Sequence, residues 1–181
     1  MSGADSLVSD RQLTDQLAYR HVLGSFATGV AVVTTLTPDP EGNDRVMGMT
    51  INSFASVSLE PKLVLWSLGL NSERYRIFAE AKSFGINILT SEQQVLADRF
   101  FREYPFVRDD EAITHPDEPL HLHEALAWVK CRQYETRVLG DHLVIVGEVE
   151  HFAQSEQHFG AHGLTYFRGR YGQTNGSRTQ V

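Results

Sequence analysis

Short polar side chains are concentrated in one segment, Gly48-Met49-Thr50-Ile51-Asn52-Ser53-Phe54-Ala55-Ser56-Val57-Ser58-Leu59-Glu60-Pro61. Hydroxyls and an amide on short side chains let a ligand approach the main chain closely, so that N–H groups can reach its polar edge. This chemistry suits a flat, hydrogen-bonding ring that carries a phosphate. The same composition is also typical of a serine-rich strand and turn, and the segment by itself favours neither interpretation.

Three further blocks accompany this segment: Phe26-Ala27-Thr28-Gly29-Val30-Ala31-Val32-Val33-Thr34-Thr35, Gly140-Asp141-His142-Leu143-Val144-Ile145-Val146-Gly147-Glu148-Val149 and Tyr166-Phe167-Arg168-Gly169-Arg170-Tyr171-Gly172. In this order the four blocks resemble the short-chain flavin reductase family, the NAD(P)H:flavin oxidoreductases that supply reduced flavin to two-component monooxygenases. The resemblance runs from about Leu17 to Gly172. It implies an FMN-binding split β-barrel, FMN or FAD, NADH or NADPH as reductant, a homodimer and a separate oxygenase component.

The resemblance also implies which residues hold the flavin. It places seven of them around the ring and ribityl chain: Thr28, Gly29, Thr50, Ile51, Asn52, Ser53 and Phe54. Ser56 and Ser58 would lie toward the phosphate.

A second candidate for the phosphate site is Ser72 with Arg74. A helix N-terminus offers free N–H groups and a positive dipole end, and an arginine could add a charge-assisted hydrogen bond. Many relatives carry a threonine at the position of Arg74. The arginine is therefore either an improved phosphate ligand or a solvated charge on a helix face.

His142 is the sharpest single candidate for contact with the nicotinamide nucleotide. The resemblance implies that the imidazole of the Gly140-Asp141-His142 turn points at that ligand and orients it, without transferring a proton. The other interpretation is a β-turn between two strands with no further role. Tyr166, Arg168 and Tyr171 would flank the pocket, or would pack the end of a strand.

The chain reads as a mainly β fold with peripheral helices, because turns join many of its adjacent strands and strict βαβ alternation is missing. A closed or split antiparallel barrel fits this order. Apolar periodicity predicts helices over Leu13–Ala27, Asn71–Ala81 and from Ser91 to before Pro105. It predicts strands over Val30–Leu36, Arg45–Thr50, Lys62–Leu68, Ser83–Leu89, Ala127–Leu139, Leu143–Phe152 and Leu164–Arg170.

Length and composition set the limits on class. The 181 residues fit one domain at 13–172, with tails at 1–12 and 173–181. The net charge of −7 argues against a nucleic-acid partner, which needs clustered lysine and arginine. The single cysteine, Cys131, fits a reducing compartment, and no apolar run is long enough to span a membrane, so we expect a cytoplasmic protein.

Several other chemistries are disfavoured by the motifs. No Gly-x-Gly-x-x-Gly opens a strand-to-helix turn, which argues against a Rossmann site. His121 and His123 are spaced as possible metal ligands, but a solvated loop explains them better and we expect no metal. Cys131 lies within a predicted strand with no histidine and carboxylate around it, so we expect a buried, inert thiol.

Hydride transfer between nicotinamide and flavin needs little acid or base catalysis from side chains, because the two rings carry out the reaction. The protein has to stack the rings and place donors near the flavin edge that becomes negative on reduction. We therefore predict an NAD(P)H-dependent flavin reductase. A flavoprotein that holds its flavin without turnover, as a carrier, sensor or electron relay, is the alternative on the same fold. A dimeric binding module without a cofactor is the third possibility.

Overall fold

A computed structural model describes residues 14–38, 41–42, 44–102, 106–108, 112–113, 121–158 and 160–175. The first half of the chain holds helix α1 (14–23) and strands β1 (Thr28–Gly29), β2 (Ala31–Pro38), β3 (Asp44–Ile51), β4 (Ala55–Leu59) and β5 (Lys62–Gly69). Then follow α2 (Tyr75–Glu80), β6 (Ser83–Ile88), a 3-10 turn (Ser91–Gln93) and α3 (Gln94–Arg102). The remaining strands are β7 (Ala112–Ile113), β8 (His121–Leu122), β9 (Ala127–Leu139), β10 (His142–Gln154), β11 (Leu164–Phe167) and β12 (Arg170–Gln173).

Seven strands form one antiparallel sheet in the order β3-β2-β6-β9-β10-β5-β4. Its two edge strands, β3 and β4, are separated in sequence only by residues 52–54. This short connection forces the sheet to curl back on itself, although the two edges do not pair with each other. The mainly β split barrel expected from the sequence is confirmed.

A smaller sheet in the order β1-β11-β12 closes one side of the barrel. The Val30 N–H donates to the Leu164 carbonyl at 3.0 Å, and the Leu89 N–H donates to the Val30 carbonyl at 3.1 Å. The short strand β1 is therefore tied both to the C-terminal hairpin and to the end of β6.

Two apolar clusters fill the two sides of the main sheet. The first lies inside the barrel around Trp66, whose ring meets Phe78 and Phe84 edge-on at centroid distances of 5.6 and 5.9 Å. The second lies under α3, where Phe100 packs with Val32 and Leu89. Alternation along the strands produces this division, because neighbouring side chains point to opposite faces.

Helix α3 is fixed at its start by a capping box. The Thr90 N–H donates to the Gln93 side-chain oxygen at 3.0 Å, and the Thr90 side chain accepts from the Gln93 N–H in return. The Gln93 amide also donates to the His123 carbonyl at 3.2 Å. These bonds set the direction in which α3 crosses β3.

Most predicted strands are confirmed, and the hairpin turn at Gly140 has the expected left-handed backbone with φ of +61°. The predicted strand Leu164–Arg170 is wrong, because Arg168 (φ +48°) and Gly169 (φ +78°) turn the chain into the β11–β12 hairpin. The serine-rich segment forms β4, which the strand prediction omitted. Backbone pairing with β5 decides this, since the segment lacks a continuous apolar face.

Two predicted helices are longer than the observed ones. Helix α2 begins at Tyr75, so Asn71 and Ser72 do not cap it as predicted, and its cap position is Arg74 without a side-chain hydrogen bond. Helix α1 ends at residue 23, where the Gly24 N–H donates to the Arg20 carbonyl. The predicted tail 1–12 lies outside the described residues, as do residues 176–181 of the predicted C-terminal tail.

In the described ranges, no helix is both long enough and apolar enough to cross a membrane.

Replacement of Gly48 by alanine should reduce stability, because α3 packs directly on this glycine. A Cβ at position 48 would lie 2.6 Å from Cε1 of Phe100. We expect the free energy of unfolding to fall by about 1–3 kcal/mol, as in other overpacked cores, measured by urea denaturation. Gly29→Ala is the matched control, since nothing lies within 4 Å of its added Cβ. A Gly48→Ala variant as stable as the control would contradict this account of the packing.

Candidate functional site

A cavity of about 480 Å³ opens between α3 and the β11–β12 hairpin. Eight residues from the flavin-like sequence blocks line it: Val30, Thr50, Ile51, Asn52, Tyr166, Gly169, Arg170 and Tyr171. The volume lies in the range usual for sites that enclose a small organic ligand. The end of β3 therefore meets the C-terminal hairpin at a concave surface of suitable size for one nucleotide.

The loop at residues 52–54, between the two edge strands, reaches this cavity at Asn52, whereas Ser53 and Phe54 do not line it. Among the described residues, the N–H groups of Asn52, Ser53 and Phe54 find no hydrogen-bond acceptor. The Ser53 hydroxyl holds the loop against β5, because it accepts from the Ser67 N–H at 3.0 Å and donates to the Ser67 carbonyl at 3.3 Å. A fixed loop with free N–H groups can bind the polar edge of a ring.

Two threonines of the predicted flavin set behave differently. The Thr50 hydroxyl donates to the Ala97 carbonyl at 2.6 Å and so joins the end of β3 to α3. The Thr28 hydroxyl is buried and has no hydrogen-bond partner within the described ranges. Thr28 pairs with Tyr166 across β1 and β11, next to the cavity, with Gly29 following it. A bound polar ligand would satisfy this hydroxyl, so the residues present fit a flavin.

Ser56 and Ser58 lie on β4, and neither lines the cavity. The Ser58 hydroxyl accepts from the Glu60 N–H at 3.2 Å, which stabilises the turn before Pro61. Ser56 is exposed opposite Val64 of β5. The structure does not bring these two serines to the other candidate residues.

Ser72 and Arg74 lie between β5 and α2 and are engaged with the protein. The Ser72 hydroxyl accepts from the Arg74 N–H at 3.2 Å and lies 3.9 Å from the sulfur of Met49. The Arg74 guanidinium donates to the carbonyl of Phe100 near the end of α3. Partial burial lowers the pKa of Arg74, and the charge of Glu73 opposes this effect.

His142 and Asp141 form a side-chain pair at the start of β10. The Nδ1 of His142 lies 2.7 Å from a carboxylate oxygen of Asp141, and a carboxylate can only accept, so Nδ1 carries the proton. Opposite His142 on β5 is Gly69, and a Cβ there would lie 3.9 Å from Nε2. The imidazole therefore lies beside the chain that leads from Gly69 to Ser72.

The residues of the C-terminal block differ in whether they line the cavity. Tyr166, Gly169, Arg170 and Tyr171 line the cavity, and the rings of Tyr166 and Tyr171 meet edge-on at 5.5 Å. Arg168 does not line the cavity, and its guanidinium lies 5.2 Å from the ring centre of Phe167.

Sequence reasoning missed the wall that α3 contributes to the cavity. This wall consists of Gln94, Asp98, Phe101 and Arg102. Apolar periodicity predicted the helix, but polar residues on an amphipathic helix are usually solvated, so the sequence carries no signal that this face borders a cavity. Burial raises the pKa of Tyr171, and the charge of Asp98 raises it further while Arg102 opposes both. These three side chains are thus close together.

The other candidate chemistries concern the histidines and the cysteine. No group of three potential metal ligands comes together in the described part of the chain. The ring of His121 stacks on Trp128 at 4.6 Å, which gives it a packing role. Cys131 is fully buried, and burial, followed by the charge of Glu150, raises the pKa of its thiol to about 12. The thiol is therefore inert, as expected.

Comparison with known proteins identifies the class. The model of the flavin reductase like domain matches residues 23–175. The chain is 44% identical to FMN reductase (NADH) SmoA of Agrobacterium fabrum over 133 residues, 73% of each chain. It is 38% identical to the reductase component of the flavin-dependent trigonelline monooxygenase of Acinetobacter baylyi over 183 residues, which covers 100% of this chain and 54% of that protein.

A solved structure has the same fold. The NADH:FAD oxidoreductase SgcE6 of Streptomyces globisporus C-1027, in complex with NAD and FAD fragments, matches with a TM-score of 0.76 and 28% identity. The match covers 89% of this chain and 93% of that one. The chain belongs to the flavin reductase family, and the family expected from the four sequence blocks is confirmed. Membership makes it an oxidoreductase that uses flavin and a nicotinamide nucleotide.

The Asp141–His142 pair should be detectable by titration. Hydrogen bonding from His142, then its charge, holds the pKa of the Asp141 carboxyl below the usual value for aspartate. We expect His142→Ala to raise that pKa toward the usual value, as measured by NMR of the side-chain carboxyl carbon. His151→Ala, on the same strand, is the control and should leave it unchanged. An Asp141 pKa that does not move in His142→Ala would show that the pair does not form.

Proposed function

We propose that this protein transfers a hydride from NAD(P)H to FMN or FAD and releases reduced flavin to a separate monooxygenase component. The observation that carries the proposal is the cavity at the end of β3, which Asn52 lines and which adjoins a loop, residues 52–54, with free main-chain donors. When bound, the nicotinamide supplies the hydride and the flavin ring accepts it. The protein then has only to bind and orient the two rings.

The main-chain N–H groups of Asn52, Ser53 and Phe54 would hold the polar edge of the flavin ring. Negative charge develops on that edge during reduction, and fixed N–H donors stabilise it without rearrangement. Ile51, Tyr166 and the Thr28–Gly29 strand surround the ring, and the free Thr28 hydroxyl gains a partner.

His142 orients the nicotinamide nucleotide. With the proton of Nδ1 donated to Asp141, the lone pair of Nε2 can accept a hydrogen bond from the ligand. Gly69 adjoins this imidazole, and the Ser72 hydroxyl, three residues further along the chain, lies 3.9 Å from the sulfur of Met49 of β3.

The oxygenase partner is inferred from relatives. One similar protein is the reductase component of a flavin-dependent monooxygenase, and another is the reductase subunit HsaB of a flavin-dependent monooxygenase from Mycobacterium tuberculosis. Reduced flavin from the present protein would likewise be consumed by a second polypeptide. The single buried cysteine, Cys131, supports the cytoplasmic location expected from the sequence.

A coupled absorbance assay distinguishes turnover from storage. We expect the nicotinamide absorbance band to decay when purified protein is mixed with NADH or NADPH and FMN, FAD or riboflavin, and to stay constant without flavin. A yellow protein that is inert to both nicotinamides would support the non-turnover flavoprotein instead. A colourless, inert protein would exclude both.

The same assay tests His142. His142→Ala should raise the KM for NADH roughly five- to ten-fold, the effect of losing one hydrogen bond, with little change in flavin affinity. The control is His151→Ala, an exposed histidine farther along β10. Unchanged kinetics in His142→Ala would remove the residue from the site.

We also propose a homodimer that covers helix α1. Tyr19, Val22, Leu23 and Phe26 recur at the spacing of one helix face and its extension, and all are more than half exposed. Val138 and Leu139, at the tip of the β9–β10 hairpin, are also exposed, and the charge of Arg20 on α1 reaches Asp141 in that hairpin. A continuous apolar surface of this kind is typical of a subunit interface.

Gel filtration with light scattering tests this interface. The wild type should elute as a dimer of the 20.4 kDa chain, and Val22→Asp should shift it to monomer because a buried carboxylate would be unpaired. Val95→Asp, a matched change of an exposed valine on α3, should leave the dimer intact. A monomeric wild type at micromolar concentration would contradict the proposal.

A further inference from the structure

Two arginines line the cavity wall, Arg170 from the last flavin-like sequence block and Arg102 from outside the blocks. Arg102 comes from the last turn of α3 and Arg170 from the first residue of β12, and both line the cavity. Asp98 is the single carboxylate among the lining residues. Two guanidiniums against one carboxylate leave this wall net positive, although the whole chain has a net charge of −7.

Arg102 lies close to Tyr171, another residue of the cavity wall. Its charge lowers the pKa of Tyr171, against the larger effects of burial and of Asp98. Tyr171 in turn packs edge-on against Tyr166, which lines the cavity next to the flavin residues. Arg102 is therefore near the aromatic wall of the cavity itself.

The sequence left open whether Arg74 is a phosphate ligand or a solvated charge, and in the structure Arg74 is engaged with the protein. Its guanidinium donates to the Phe100 carbonyl and is half-buried between α2 and α3. A guanidinium near the end of a helix satisfies carbonyls that have no intrahelical partner. By contrast, neither Arg102 nor Arg170 has a hydrogen bond or ion pair to any other residue in the described ranges.

We propose that Arg102 and Arg170 bind the phosphate of the flavin nucleotide whose ring lies against residues 50–52. The inference rests on the proposed function and deepens it. Guanidinium forks match the geometry of phosphate oxygens and form two parallel charge-assisted hydrogen bonds. The cavity thus binds both ends of one ligand. Main-chain donors contact the ring, and two arginines contact the phosphate. The site selects phosphorylated flavins over riboflavin.

FMN and riboflavin provide the test, because they differ only in the phosphate. Dissociation constants are measured by fluorescence titration of each flavin, without turnover. We expect wild-type protein to bind FMN more tightly than riboflavin, and expect Arg102→Ala and Arg170→Ala each to reduce this preference roughly ten-fold. Arg170→Lys should retain part of the preference, since it keeps the charge and loses the fork. Arg76→Ala is the control, as Arg76 lies on α2 and pairs with Glu80.

Three results would overturn the inference. If the substitutions weakened the binding of FMN and riboflavin equally, the arginines would only pack the cavity wall. If they changed neither affinity, the arginines would not belong to the site. A rise in the KM for NADH with riboflavin as acceptor, at an unchanged FMN preference, would assign the arginines to the phosphates of the nicotinamide nucleotide. The titration separates this inference from the proposed function, because a protein that binds FMN through these arginines but never oxidises NADH would refute only the turnover.

Discussion

The Ser53 hydroxyl bonded to the main chain of Ser67 is the interaction on which the site depends. It holds the loop between the two edge strands against β5, where the sheet curls without closing. Because the edges stay unpaired, the N–H groups of residues 52–54 remain available to a ligand. In a fully closed barrel, such donors would form hydrogen bonds between paired strands. The opening in the barrel is thus what gives the fold a binding edge.

Helix α3 is the second constraint, since it forms one wall of the cavity. Three contacts fix it to the sheet: Phe100 against Gly48, the Thr50 hydroxyl on the Ala97 carbonyl, and the Arg74 guanidinium on the Phe100 carbonyl. Each involves a residue on or beside the predicted flavin segment. Packing of the core and shape of the cavity are therefore coupled. The absence of a side chain at position 48 allows α3 to pack closely and so also places the cavity wall that α3 forms.

Local patterns predicted much of the fold correctly. Alternating apolar residues located β6, β9 and β10, and Gly140 located the turn between the last two. The errors occur where contacts with residues distant in sequence determine the secondary structure. The Arg168–Gly169 turn interrupts an apparently continuous strand because β12 pairs with β11, and β4 forms because β5 offers it a partner. The predicted start of α2 was early because Ser72 forms a local turn with Arg74 instead of a cap.

The sequence by itself determined the family and the mainly β class, because sequence blocks, apolar periodicity and turn residues are local features of the chain. Tertiary structure alone decided which charges reach the cavity. Arg74 bonds to a residue 26 positions away and Thr50 to one 47 positions away, so no local pattern reports either contact. Arg102 and Arg170 come from separate elements and share one cavity only because α3 and the C-terminal hairpin fold onto β3.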